Sequence, residues 1–148
     1  MLFRSNRAWH RLSPWPDTIA GMHRLKQRFT LCTLSNGNLG LLANMAKHAG
    51  LPWDLILSAE VFRHYKPDPQ TYLGVAEVFD VAPGQVMLVA CHEDDLDAAA
   101  ACGLQTAYVS RPLEHGPGVQ IPHGDLSRFT VSARDFNDLA DRLSPASI

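Results

Sequence analysis

The chain has 148 residues, 46% of them hydrophobic and 19% charged, which fits one globular domain with enough apolar material for a core. Its formal net charge of −2 and pI near 6.4 argue against a general nucleic-acid footprint. No apolar run approaches the ~18 residues of a membrane span, and the opening MLFRSNRAWHRLSPWP lacks the apolar stretch of a signal peptide.

In chain order, the residues alternate between helix and strand patterns. PDTIAGMHRLKQR places Ile19, Met22 and Leu25 on one helical face, with Pro16 and Asp17 at its start. FTLCTL (29–34) is a short apolar run that reads as a buried strand. SNGN follows, then LGLLANMAKHAG, a helix with Asn38 as N-cap and Gly50 just past its end. LILS (55–58) is a second strand, and a loop carrying Arg63, His64, Tyr65 and Lys66 comes after it. DPQTYLGVAEVFD is a helix capped by Asp68 with Pro69 in its first turn, and Tyr72, Val75, Ala76 and Phe79 line one face. VMLVA (86–90) and TAYVS (106–110) are strands flanking the Ala-rich helix EDDLDAAAACG. A Pro/Gly-rich loop then leads to FTVSA and a last helix, ARDFNDLADRL.

Such alternation predicts parallel pairing with right-handed crossovers, hence an α/β layered domain. The strands are apolar throughout rather than alternating, which fits a sheet covered on both faces. The cysteines are Cys32, Cys91 and Cys102, with no CxxC spacing, and read as reduced, packed thiols of a cytoplasmic protein. Trp9, Trp15 and Trp53 read as packing residues, and the remaining histidines show no convincing metal-ligand spacing.

In an open α/β sheet, ligands bind beyond the carboxyl ends of the strands. Polar clusters fall at that edge after successive strands: Ser35, Asn36 and Asn38; then Arg63 to Lys66; then His92, Glu93, Asp94 and Asp95. Ser35 and Asn36 offer a hydroxyl and an amide suited to a small anion, helped by the amides that open the next helix. Lys66 is a point cation able to hold a carboxylate in its ionised form, with Pro67 and Pro69 limiting its wander. Asp95 is placed to anchor that lysine or to orient a water. Taken alone, each cluster also has an ordinary reading: a turn, a solvated lysine, a helix start complemented by acids. Arg111 reads as a surface ion pair.

The three clusters together, in this order, resemble the haloacid dehalogenase-like hydrolase superfamily, with the closer likeness to the 2-haloacid dehalogenases. TLSNGN is similar to the family's second motif, SAEVFRHYKPDPQTY to its lysine motif, and VMLVACHEDDLDAAAACGLQTAYVSRP to its acidic motif. The likeness runs over about residues 14–117. It implies a three-layer Rossmann-like fold and a two-step reaction. An aspartate displaces halide from a short 2-haloacid, and water then cleaves the ester. By the same resemblance Ser35 and Asn36 bind substrate carboxylate and halide, Lys66 pairs with the nucleophile, Tyr72 shapes the pocket, and Asp95 positions Lys66 or the hydrolytic water. Dehalogenases of this kind need no metal; the related phosphatases hold Mg²⁺ between the nucleophile and the acidic motif.

The sequence also departs from the family pattern. The family's nucleophile lies in a hydrophobic strand followed by D-x-x-x-[TS], and no such segment occurs here. Asp17, the only acid before the second motif, lies at a helix start. Ala90 and His92 stand where the family often has Ser and Asn, leaving His92 as a possible donor to substrate. The chain therefore reads as a single, partial core domain over 1–148, with 1–14 as a remnant of the cap-to-core linker and the first strand and cap missing. The expected function is the core of a 2-haloacid dehalogenase-like hydrolase, inactive or nearly so alone. The alternatives are a non-catalytic anion-binding or dimerisation module, or a phosphatase relative. The expected partners are a small 2-haloacid or other small anion and a second copy or a complementing N-terminal fragment, with no nucleic acid and no membrane. The resemblance implies that the missing nucleophile strand lies between FTLCTL and VMLVA, and its loss predicts that these two close directly onto each other, combined with dimerisation.

Overall fold

Two parallel sheets organise the chain. The computed structural model describes residues 8–119 and 122–144. Its elements are α1 (Thr18–Lys26), β1 (Cys32–Ser35), α2 (Leu39–Ala49), β2 (Leu55–Ser58), the short α3 (Ala59–Phe62), α4 (Pro69–Val78), β3 (Met87–Ala90), α5 (Glu93–Ala101), β4 (Gln105–Val109), β5 (Val131–Ala133) and α6 (Phe136–Leu143). One sheet pairs β1 with β2, and the other runs β3-β4-β5. Every pairing is parallel, from Cys32 opposite Leu55 in the first sheet to Val109 opposite Ala133 in the second.

Local chemistry sets the boundaries. The Asn38 side chain accepts from the Leu41 amide at 2.7 Å, and Gly50 ends α2 at φ 68°, a conformation that costs glycine little. Asp68 caps α4 by accepting from the Gln70 amide at 2.9 Å, with Pro69 in the first turn. The strand predicted over 29–34 is shorter, because Phe29 is exposed and the ladder starts only at Cys32.

The three layers are most visible around β4, whose side chains alternate between two apolar clusters. On one face Tyr108 packs with Tyr72 of α4, Leu88 of β3 and Leu96 and Ala99 of α5. On the other, Ala107 and Val109 pack with Leu25 of α1 and Leu139 and Ala140 of α6. Gly21 lets α1 and α6 approach closely: a Cβ there would sit 2.7 Å from the Phe136 carbonyl carbon. Gly21→Ala is expected to destabilise the fold by about 2–3 kcal/mol through overpacking, lowering the urea midpoint. An unchanged midpoint would mean that these helices do not pack in this way.

Coverage is thinner on the first sheet and on β3, the edge strand of the second. No residue of α2 is fully buried, and Leu55 of β2 and Val89 of β3 stay 38% and 37% exposed. The expectation of strands covered on both faces thus holds for β4 and fails for these positions.

The predicted closure of β1 onto β3 does not occur: no ladder joins them among the described residues. The sheets are linked by side chains instead. Leu34 of β1 packs against the cluster that holds Tyr72 and Leu88, and Lys66 reaches Asp95 across the same divide. Bringing β1 to a pairing distance of about 4.8 Å from β3 would displace that packing. Part of the predicted linker remnant, residues 1–7, lies outside the described residues; Trp9–Arg11 forms a single 3-10 turn against α2, where Asn44 Nδ2 meets His10 Nδ1 at 2.9 Å. None of the described helices is long and apolar enough to cross a membrane. All three cysteines are free.

Candidate functional site

Parallel pairing puts the carboxyl ends of neighbouring strands side by side, so loops distant in sequence meet at one edge. The loop after β1 meets the loop before α4 in this way. Asn36 holds the backbone of Lys66 with both ends of its amide: Oδ1 accepts from the Lys66 N–H at 2.8 Å, and Nδ2 donates to the Lys66 carbonyl at 3.2 Å. With Pro67 next in sequence, the stem of Lys66 has little freedom. The peptide bond between them is cis.

The Lys66 ammonium lies 2.5 Å from Asp95 Oδ2, and the Tyr72 hydroxyl donates to Asp95 Oδ1 at 2.7 Å. Asp95 comes from the first turn of α5 and Tyr72 from α4. The Lys66 and Asp95 side chains are only 18% and 16% exposed, so the pair is held in a largely desolvated setting where a charge-assisted bond is strong. Burial first, and the Asp95 carboxylate second, push the Tyr72 phenol well above its ordinary range. Tyr72 therefore remains a protonated donor.

The structure brings Asn36, Lys66, Tyr72 and Asp95 into one hydrogen-bonded group. Ser35 adjoins it at the end of β1, where its Oγ accepts from the Gly37 amide at 3.0 Å and its own proton remains to be donated. His92 points elsewhere: its Nε2 lies 2.7 Å from Glu114 Oε1. Two of the amides opening α2, expected to help bind an anion, are occupied. Glu60 Oε2 accepts from the Leu39 amide at 2.8 Å and Asn38 takes that of Leu41, because an adjacent carboxylate satisfies the positive helix start. A shallow cavity of about 200 Å³ lies beside them, lined by Asn36, Asn38, Ala59, Glu60, Arg63 and Tyr65.

Asp17 and Arg111 prove to be structural. Both Asp17 oxygens take a guanidinium nitrogen of Arg111, at 3.0 and 2.9 Å, and Oδ2 also accepts from the Phe136 amide at 2.8 Å. Arg111 was expected on the surface; its side chain is 10% exposed and lies over the rings of Trp15 and Phe136, at 5.4 and 5.2 Å.

The Asn36 clamp on Lys66 and the carboxylate of Glu114 are features the sequence did not announce. The first spans 30 residues and the second 22, with no local pattern linking either pair.

Comparison with known proteins follows the same lines. The family model for haloacid dehalogenase-like hydrolases matches residues 1–103. (S)-2-Haloacid dehalogenase 1 of Pseudomonas sp. (strain CBS-3) is 34% identical over 107 residues, 70% of this chain and 47% of that protein. The (S)-2-haloacid dehalogenase of Xanthobacter autotrophicus is 30% identical over 130 residues, 84% of this chain and 50% of that protein. A crystal structure of an L-2-haloacid dehalogenase superposes with a TM-score of 0.90 at 51% identity, covering 97% of this chain and 63% of that one. The chain thus spans about half the length of the curated relatives it matches. A parallel α/β sheet flanked by helices, a lysine and an acid meeting at its carboxyl edge, and these matches lead to one conclusion: the chain belongs to the haloacid dehalogenase-like hydrolase family.

Proposed function

We propose that these residues form the cation-bearing part of a 2-haloacid dehalogenase, which removes halide from short 2-haloalkanoic acids by way of an aspartyl ester. The nucleophilic strand is contributed by a segment outside the 148 residues. The observation that carries this reading is the Lys66 ammonium, fixed by Asn36 and Asp95 at the edge of a divide between β1 and β3. A strand entering that divide would find the unpaired edges of both neighbours, and an aspartate at its carboxyl end would lie beside the ammonium. A second copy of this chain is the alternative occupant.

In that arrangement Lys66, with three donors, bridges the nucleophile and Asp95 and keeps the nucleophile ionised. Ser35, through its hydroxyl, and Asn36, through the amide proton not spent on Lys66, face the substrate carboxylate and the departing halide. Tyr72 fixes the Asp95 carboxylate, so the ammonium is aimed before substrate arrives. His92, turned toward Glu114, takes no part in the proposed reaction.

Neither Asp17 nor Asp95 is suited to replace the nucleophile. Asp17 is bound by Arg111, and both oxygens of Asp95 already accept from strong donors. Cys91 offers little thiolate at neutral pH, because burial and the Glu114 carboxylate push its thiol up to about 11. The phosphatase reading fits less well: an Mg²⁺ ion drawing on Asp95 would sit against an ammonium that already lies 2.5 Å from its oxygen.

The test is chloride release from 2-chloropropionate. The purified chain alone is expected to stay at background. Co-expression with the nucleophile-bearing N-terminal segment of a related (S)-2-haloacid dehalogenase is expected to restore release. Turnover by the isolated chain, or a stable complex that never releases chloride, would overturn the proposal, the latter in favour of a non-catalytic anion-binding module.

A further inference from the structure

A second cluster of chemically reactive side chains stands apart from the lysine site, and the proposed dehalogenation leaves it unused. β3 and β4 are adjacent and parallel, so the turn after β3 and the loop after β4 emerge together. The first carries Cys91 and His92. The second folds back through turns in which the Glu114 amide donates to the Arg111 carbonyl and the Gly116 amide to the Leu113 carbonyl, each at 3.0 Å. Gly116, at φ 96°, permits that reversal. The result brings Glu114 over the end of β3. Its Oε1 lies 2.7 Å from His92 Nε2 and its Oε2 lies 3.5 Å from Cys91 Sγ. One ligand atom from each of the three residues falls within 4.8 Å of the others. His115 Nε2 is 3.8 Å from the same carboxylate. All four line a cavity of about 650 Å³ that opens to solvent.

We propose that Cys91, His92 and Glu114 form a binding site for a single borderline transition-metal ion, with Zn²⁺ as the natural occupant. A thiolate, an imidazole and a carboxylate are the donor types that Zn²⁺ takes at roughly 2.0–2.3 Å. Around a tetrahedral ion such ligands stand a little over 3 Å apart, close to the spacing between these side chains, so small rotamer changes suffice. Hard cations that demand oxygen cages are disfavoured by the sulfur and nitrogen. Coordination forms the metal–sulfur bond and releases the Cys91 proton to solvent. Three protein ligands leave a fourth position directed at the cavity, where His115 or a small anion completes the shell.

The site requires neither the nucleophile nor the substrate, so its fate is separable from that of the dehalogenase reading. Titration of the full chain with Co²⁺ alone is expected to give a thiolate-to-cobalt charge-transfer band in the near ultraviolet that saturates at one equivalent and is displaced by Zn²⁺. Cys91→Ser should abolish the band, whereas Cys102→Ser should leave it intact. Glu114→Gln, on a surface loop where folding is not at stake, should weaken Co²⁺ and Zn²⁺ binding by at least about 100-fold, since even outer-sphere partners cost 10–100-fold. Absence of the band, its persistence in Cys91→Ser, or equal affinity in Glu114→Gln would overturn the proposal.

Discussion

Replacing Lys66 with alanine is expected to slow halide release by the complemented chain about 10²–10³-fold, the scale on which removal of one preorganised charge-stabilising donor acts. The loss should fall on kcat, because the ammonium serves the nucleophile rather than the resting substrate. The substitution also strips Asp95 of its counter-ion. The pair is about one-sixth exposed, so the cost sits at the lower end for a broken buried ion pair, about 3 kcal/mol by urea denaturation. Tyr72 keeps its hydrogen bond to Asp95 and limits the damage. Turnover that survives Lys66→Ala unchanged would remove the ammonium from the chemistry, whatever happens to stability.

Asp17→Ala is expected to show the opposite profile: a large stability loss with no change in turnover per folded molecule. Without Asp17, the Arg111 guanidinium is left largely buried with no carboxylate, and the Phe136 amide loses its acceptor. Together these cost about 3–4 kcal/mol, offset only in part by the Trp15 and Phe136 rings. The effect carries a pH signature. Burial pushes the Asp17 carboxyl up, but the hydrogen bonds from Arg111 and from the Phe136 amide together outweigh it and hold the group below its ordinary value of 3.8. A carboxylate whose folded pKa is depressed contributes its full stabilisation above the unfolded value and loses it as pH falls through the folded one. The gap in stability between wild type and Asp17→Ala should therefore be constant near neutrality and shrink below about pH 4. Loss of turnover with stability intact would instead identify Asp17 as a participant in the reaction.

Much of the fold was legible because its signals are local. Asn38 and Asp68 cap helices where their positions before apolar periodic runs indicate, and Gly50 ends α2 as a residue free to adopt positive φ. The alternation of strand and helix dictated parallel pairing, and the pairing is parallel throughout. The behaviour of the sheet at its divide was not legible. Closure of β1 onto β3 looked favourable from the cost of unpaired edges, yet no ladder joins them among the described residues, and side chains such as Leu34 link the sheets instead. Within the site, residue types and strand-end placement pointed to Lys66 and Asp95, which do meet. The function of Asn36 as a clamp on the lysine backbone depends on a tertiary contact, and nothing in TLSNGN specifies it. Of the amides at the start of α2, that of Leu39 is taken by Glu60, a residue of another element that no local pattern ties to this helix.

The account turns on where the covalent bond to substrate forms. Many turnovers of the complemented chain in heavy-oxygen water, followed by peptide mass spectrometry, report this directly, because the water that cleaves the ester leaves its oxygen in the carboxylate that had attacked. The label is predicted in the aspartate of the supplied segment and in no peptide of this chain. Heavy oxygen in the peptide that carries Asp95, or in the one that carries Asp17, would contradict the account.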